Sequence, residues 1–204
     1  MGHQVRYCLL TRGDKGSNDR SVRSFDLAMQ REVEQNAAAH ELGVENVRFL
    51  DYEDGYLVPN LETRKRVTKI IREERPDIVL SSDPTNFFPN EASINHPDHR
   101  AAGQIVIEAV FPATGNPLYF PELLLEGLEP HSVKEVWLSL TSQPNVVIDV
   151  TTTWNEKIGA LKHHISQIGD PVKLEERMRS RRTPDSSDEN PKYEEKFRRF
   201  VYGK

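Results

Sequence analysis

The chain has 204 residues, of which 29% are charged, and a formal net charge of −5. That length suffices for one domain with a sizeable core, and the charge excludes a general basic surface for nucleic acid or an anionic membrane. A single cysteine, Cys8, excludes an internal disulfide and makes a reducing compartment acceptable. No apolar stretch approaches the length of a membrane span, and the first residues lead into a strand rather than a signal peptide. The expectation is a soluble, cytoplasmic protein.

Val5 to Leu10 is a short apolar run, read as a strand, with Cys8 expected as a buried thiol. Thr11 to Asn18 is a loop with two glycines three apart. It is neither a P-loop nor G-x-G-x-x-G, so as a phosphate signal it is weak. Ser24 to Leu42 carries apolar residues at helical spacing and stops at Gly43. Asn46 to Leu50 is the next strand. Asp51 to Tyr56 is an acidic loop with a turn at Asp54-Gly55, either simply solvated or holding a carboxylate towards a ligand. Leu61 to Glu74 is a second helix, ended by Pro76, and Asp77 to Ser81 reads as a buried-type strand. Strand and helix thus alternate at βαβ lengths. This predicts an α/β fold with a Rossmann-like, mostly parallel sheet and helices on both faces. Ligands bind such sheets beyond the carboxyl ends of the strands, where Asp14, Asp54, Asp83 and His96 fall.

The loop from Ser82 to Asn95 ends in Asn95-His96-Pro97-Asp98-His99-Arg100, followed by an apolar helical run. Proline suits the first turn of a helix, so His96 is the capping residue, Pro97 the first helical one, and Asp98 and His99 the opening turn. Both imidazoles then lie at the positive end of a helix dipole. That favours the neutral form a metal needs and suits an anionic intermediate. A bare H-x-x-H is more often a capped helix start with two exposed histidines. Zinc needs at least three protein ligands, and this stretch offers two at most.

Phe111 to His131 is proline-rich and irregular, with Leu123-Leu124-Leu125 covering the core. Val133 to Leu140 and Val146 to Val150 are further strands, Trp137 being a core residue. Thr151 to Ile168 reads as one helix. Its adjacent His163 and His164 would point about 100° apart, so at most one serves a site. Lys173 to Arg182 and Lys192 to Tyr202 are charge-rich and read as helical, with a mobile loop from Thr183 to Pro191. Residues 1–204 form one expected domain, with 170–204 a charged helical extension.

Several pieces together carry a resemblance. They are Leu10-Thr11-Arg12-Gly13-Asp14-Lys15-Gly16-Ser17, then Arg31-Glu32-Val33-Glu34, Val47-Arg48-Phe49-Leu50 and Tyr52-Glu53-Asp54-Gly55. Arg75-Pro76-Asp77-Ile78-Val79, His96-Pro97-Asp98-His99-Arg100-Ala101-Ala102 and Ala160-Leu161-Lys162-His163-His164-Ile165-Ser166-Gln167 follow in order. In order and spacing, over nearly the whole chain, the sequence resembles the LmbE-like or PIG-L family. These are zinc hydrolases that remove acetyl groups from N-acetylglucosamine-type amides.

The resemblance implies metal-assisted hydrolysis, with Zn2+ or Fe2+ as the metal. It implies His99 as a metal ligand, and His96 as the residue that stabilises the oxyanion or protonates the leaving amine. Asp98 would orient His96, and Arg31 and Asp54 would contact sugar hydroxyls. It leaves His164 without a role. The implied partner is a small N-acetylated sugar or sugar conjugate, with a homo-oligomer allowed. The family pattern also begins with a strand ending in His-Pro-Asp-Asp, which supplies two ligands and the general base. That motif does not occur in this sequence, so the family's first, central strand is expected to be missing. The expectation is a sequence truncated at its N-terminus, with weak metal binding and very low turnover as it stands. The alternative is a non-catalytic sugar-binding or interaction module of the same fold.

Overall fold

A computed structural model describes residues 2–202. In chain order the elements are β1 (Arg6–Thr11), α1 (Ser24–Glu41), β2 (Asn46–Tyr52), α2 (Leu61–Glu74), β3 (Ile78–Ser82) and α3 (Pro97–Glu108). After a π-helical turn at Ala109–Thr114 come α4 (Glu122–Leu125), β4 (Glu135–Ser139) and β5 (Val146–Asp149). A 3-10 turn at Thr151–Thr153 leads to α5 (Trp154–Lys162), α6 (Ile165–Ile168), α7 (Pro171–Arg179) and β6 (Glu194–Val201). The chain forms two compact units, Met1–Tyr56 with Ile148–Glu195, and Leu57–Val147 with Lys196–Lys204.

In the first unit β1 and β2 pair in parallel, from Arg6 opposite Asn46 to Thr11 opposite Tyr52. Leu27, Ala28, Ala38 and Ala39 bury one side of α1, as the helical spacing requires. A second cluster joins Trp154 and Ile158 of α5 to Leu174 and Met178 of α7 and to Tyr193. The rings of Trp154 and Tyr193 stack with centroids 4.4 Å apart. Cys8 is exposed, not buried. Among the described residues β1 pairs only with β2, which leaves it an edge strand.

The second unit carries the strand order β3-β4-β6-β5. β3 and β4 are parallel, as the βαβ spacing predicts, and β4 and β6 are antiparallel. β3 does not have the burial expected of it, since Ile78 and Leu80 are exposed. They share one face of an edge strand, whereas Val136 and Leu138 of the neighbouring β4 are buried. Trp137 is only half-buried: its Nε1 donates to Glu135 at 2.8 Å, and Phe197 meets it edge-on. Of the three leucines at 123–125, Leu123 is fully buried and Leu125 is exposed.

Two helical readings are corrected. Within residues 192–202, Glu194–Val201 form β6 rather than a helix. Arg199 lies opposite Trp137 in the register and donates to the Glu135 carboxylate, a pairing some sixty residues away that local charge pattern does not reveal. The reading of 151–168 as one helix also fails. α5 ends at Lys162, and His164 sits at φ −81°, ψ 57° between α5 and α6. Ser166 is the cause. Its N–H, at 2.8 Å, and its hydroxyl, at 2.7 Å, both donate to the Glu34 carboxylate on α1, so that N–H is withdrawn from the helical ladder.

In its middle, at Gly103, α3 approaches the end of β3 closely. A Cβ on Gly103 would lie 2.3 Å from the Ser82 carbonyl oxygen and 3.1 Å from the Pro84 ring. Backbone on both sides leaves little room to yield. Gly103→Ala is therefore expected to destabilise the protein by about 1–3 kcal/mol. Alanine's helix preference of about 1 kcal/mol over glycine works in the opposite direction. The urea midpoint measures this, and a variant at or above the wild-type midpoint would contradict the close-approach argument.

Candidate active site

In the second unit, α3 opens as its sequence dictates. His96 is the N-cap and Pro97 the first helical residue. The His96 side chain accepts the Asp98 backbone N–H through Nδ1 at 3.3 Å. A nitrogen that accepts is unprotonated, so in the neutral ring the proton sits on Nε2. His96 and His99 are both exposed, with ring centroids 5.6 Å apart and planes tilted by 50°. Asp98 between them is buried, and its Oδ1 accepts the Leu57 N–H at 3.2 Å. The carboxylate thus ties the first turn of α3 to the segment that enters α2, while the Asp98 backbone N–H meets His96.

The loop before His96 is held by buried polar side chains. Asp83 is almost wholly buried. Its Oδ1 accepts the Thr85 N–H and hydroxyl at 2.9 and 2.6 Å, and its Oδ2 accepts the Thr141 hydroxyl at 2.6 Å. Burial by itself would raise this carboxyl's pKa, but the hydrogen bonds from Thr141 and Thr85 bring it below its ordinary value. Asn95 donates its side-chain N–H to the Asn86 carbonyl at 2.9 Å, and its backbone N–H to that of Phe87 at 2.8 Å. Asn86 in turn donates to the Leu140 carbonyl. Asn86 and Asn95 escape a sequence reading because asparagines flanking prolines look like ordinary turn residues.

In the first unit, Asp14 anchors the two loops that follow β1 and β2. It accepts the Ser24 hydroxyl and, at 3.0 Å, the Asp54 backbone N–H. These bonds outweigh partial burial and lower its pKa. Asp54 is half-buried and its Oδ2 lies 3.4 Å from the Lys15 N–H. The Arg31 guanidinium donates to the carbonyls of Gly13 and Gly16, at 2.9 Å for the latter. Gly13 needs φ 67°, and a Cβ there would collide with that guanidinium. Arg31 is thus a clamp on the glycine loop. His164 is half-buried, and desolvation lowers its pKa. It lines a cavity of about 730 Å³ with Tyr7, Gln35, Glu41, Lys157 and Glu195.

These residues can be set against known proteins. The family model described as GlcNAc-PI de-N-acetylase, PIG-L, matches residues 1–110, more than half of the chain. The chain belongs to the PIG-L family. Diacetylchitobiose deacetylase of Thermococcus kodakarensis is 40% identical over 171 residues, covering 84% of this chain and 62% of that protein. The present sequence therefore spans less than two thirds of that relative's length. A probable N-acetyl-alpha-D-glucosaminyl L-malate deacetylase 2 of Bacillus anthracis is 29% identical, covering 82% of this chain and 70% of its own length. Among solved structures, N,N'-diacetylchitobiose deacetylase from Pyrococcus horikoshii, complexed with its inhibitor MPG, superposes with a TM-score of 0.84 at 34% identity. It covers 97% of this chain and 73% of that one. The resemblance read from the sequence and the PIG-L α/β fold are thereby borne out. Among the described residues no helix is long and apolar enough to cross a membrane.

Proposed function

We propose that this PIG-L protein is a metal-dependent hydrolase that releases acetate from an N-acetylglucosamine-type amide, with residues 1–204 acting as one deacetylase domain. The observation that carries the reading is the turn that opens α3. Two exposed imidazoles flank a buried carboxylate there, in a chain 40% identical to a diacetylchitobiose deacetylase.

The donor chemistry of this turn suits a borderline divalent cation such as Zn2+ or Fe2+, with His99 as the ligand it supplies. The turn alone does not complete the three-ligand set of a catalytic zinc. Such an ion, when bound, polarises the amide carbonyl and acidifies a water. His96 has a different task. Its Nδ1 takes the Asp98 N–H, which leaves the proton of the neutral ring on Nε2, and that N–H is assigned to the developing oxyanion or the leaving amine. Asp98 holds that geometry by anchoring the turn to Leu57. Arg31 and Asp54 are assigned to sugar hydroxyls, Arg31 also clamping the glycine loop.

A second reading, sugar binding without turnover, is favoured by one observation: the turn that opens α3 does not by itself hold the three ligands of a catalytic zinc. One experiment separates the two. Acetate and free amine are measured together on N,N'-diacetylchitobiose, N-acetylglucosamine and its malate conjugate, with added Zn2+ or Fe2+. Stoichiometric release of both products, abolished by a chelator and restored by metal, is the expected outcome. Sugar binding with no release on any of the three would replace the enzyme reading by the second one.

A further inference from the structure

The loop that delivers His96 displays large apolar side chains to solvent. Phe87 is 48% exposed, Phe88 71% and Ile94 75%. Isolated exposed apolar residues need no explanation, but three within eight residues, in the loop that leads into His96, do. The loop is also built to hold them still. Asn95, the neighbour of His96 in sequence, is bonded through its backbone to Phe87, and its side chain to Asn86. Asn86 is fixed to Leu140, and Asp83 is held by Thr85 and Thr141. The Arg100 guanidinium, from the first turn of α3, lies 3.9 Å from the Phe87 ring centroid. Phe88 stands next to Phe87, with ring centroids 6.4 Å apart and planes tilted by 42°.

Arg100 therefore occupies Phe87 and buttresses it, while Phe88 remains the open ring. A preorganised aromatic face on the loop that delivers His96 is suited to the C–H face of a pyranose ring, which is apolar and flat enough to stack. We infer that Phe88, backed by Phe87 and Arg100, is a stacking subsite for a second sugar ring, so that the protein favours N-acetylated di- and oligosaccharides over the monosaccharide. The inference rests on the deacetylase reading for its substrate class, but the stacking itself needs no turnover.

The test uses N,N',N''-triacetylchitotriose and N-acetylglucosamine as probes on the full chain. Titration calorimetry and saturation-transfer NMR compare wild type with Phe88→Ala, and Phe88→Trp supplies a fluorescent reporter at the same position. Stacking predicts saturation transfer from aromatic protons to pyranose protons. It also predicts an about tenfold weaker Kd for the trisaccharide in Phe88→Ala. Phe88→Trp should keep the affinity and shift its emission on binding, relative to Trp137 and Trp154 in the wild type. The ratio of trisaccharide to monosaccharide affinity should fall in Phe88→Ala.

An unaltered trisaccharide Kd in a folded Phe88→Ala protein would overturn the subsite, even if acetate is released normally. Phe88-dependent binding without acetate release from any sugar would retain the subsite and remove the deacetylase reading. A Phe88→Ala protein that falls to a smaller species in light scattering, with its sugar affinity intact, would assign the aromatic face to contact between copies of the chain and so also overturn the subsite.

Discussion

If the protein is the deacetylase proposed above, replacing His96 by alanine is expected to lower kcat by about 10²- to 10³-fold on its N-acetylated substrate, with KM changed far less. The magnitude is that of removing one well-placed donor from a developing oxyanion, about 2.7–4 kcal/mol of barrier. The split follows from where charge appears. The ground-state amide oxygen gains little from Nε2–H, whereas the tetrahedral oxyanion gains much. His96 is also the N-cap of α3, so alanine removes a capping contact as well, worth about 1 kcal/mol of stability. His96→Asn separates the two effects. Asparagine caps helices well but is too short to present a donor where Nε2 now lies. A His96→Asn protein with wild-type stability and the same loss in kcat locates the effect in the chemistry. Full activity in His96→Asn would reduce His96 to a cap, and the proposed mechanism would lose its acid.

The start of α3 was legible in the sequence because it is a local feature. Proline at the first helical position, histidine before it and an apolar helical run after it leave one way to fold. The parallel pairing of β1 with β2 and of β3 with β4 was legible for a related reason. Strand and helix lengths near the βαβ norm admit few topologies. What was not legible depends on distant partners. Glu34 breaks the 151–168 helix by capturing Ser166 from 132 residues away, and nothing around Ser166 announces it. β6 is a strand because Glu135 and Trp137 receive Arg199, although its charges in isolation resemble a solvated helix. Cys8, Ile78 and Leu80 failed for a third reason. Apolar runs signal strands, but only the strand's place in its sheet decides whether its faces are covered, and β1 and β3 are both edge strands.

Within the candidate site the same division holds. His96, Asp98 and His99 are contiguous, so their type and spacing carried the signal. Asp98 nonetheless acts through Leu57, forty-one residues earlier, which the motif does not contain. Arg31 showed only as part of a matched segment, and its grip on the Gly13 and Gly16 carbonyls needed the fold. The carboxylates of Asp14 and Asp83 stand at strand ends, as a ligand site would require. Their oxygens are instead committed to Ser24, Thr85, Thr141 and the Asp54 backbone, which makes them supports for the loops.

Arg72→Met is expected to be among the most damaging single changes away from the histidines, lowering the unfolding free energy by about 2–4 kcal/mol. Arg72 lies on the inner face of α2 and is 2% exposed. Its Nη2 is within donor range of the carbonyls of Ala113, Asn116 and Tyr119, at 3.0, 2.9 and 3.1 Å, and Nε reaches Thr114 at 3.3 Å. One guanidinium thus closes the irregular segment from the π-helical turn through Tyr119 onto α2. Methionine would fill much of the volume but donate nothing. The Thr114 carbonyl would keep the His131 N–H at 2.9 Å, and Asn116 and Tyr119 could turn to water. Ala113 is fully buried, so its carbonyl would lose a donor with no water to replace it. One effect runs the other way. Burial disfavours the charged guanidinium and lowers its pKa, and Nη1 is buried without a partner, so removing the charge recovers part of the loss. The balance remains destabilising because four carbonyls share this one cation. Arg72→Lys tests that count. An ammonium keeps the charge but is a point donor that cannot span all four oxygens, so its urea midpoint should fall between those of the methionine variant and the wild type. If the methionine variant unfolded at the wild-type midpoint, desolvation would be the larger effect, and the segment's conformation would have to be held by Leu123 and the π-helical turn without Arg72.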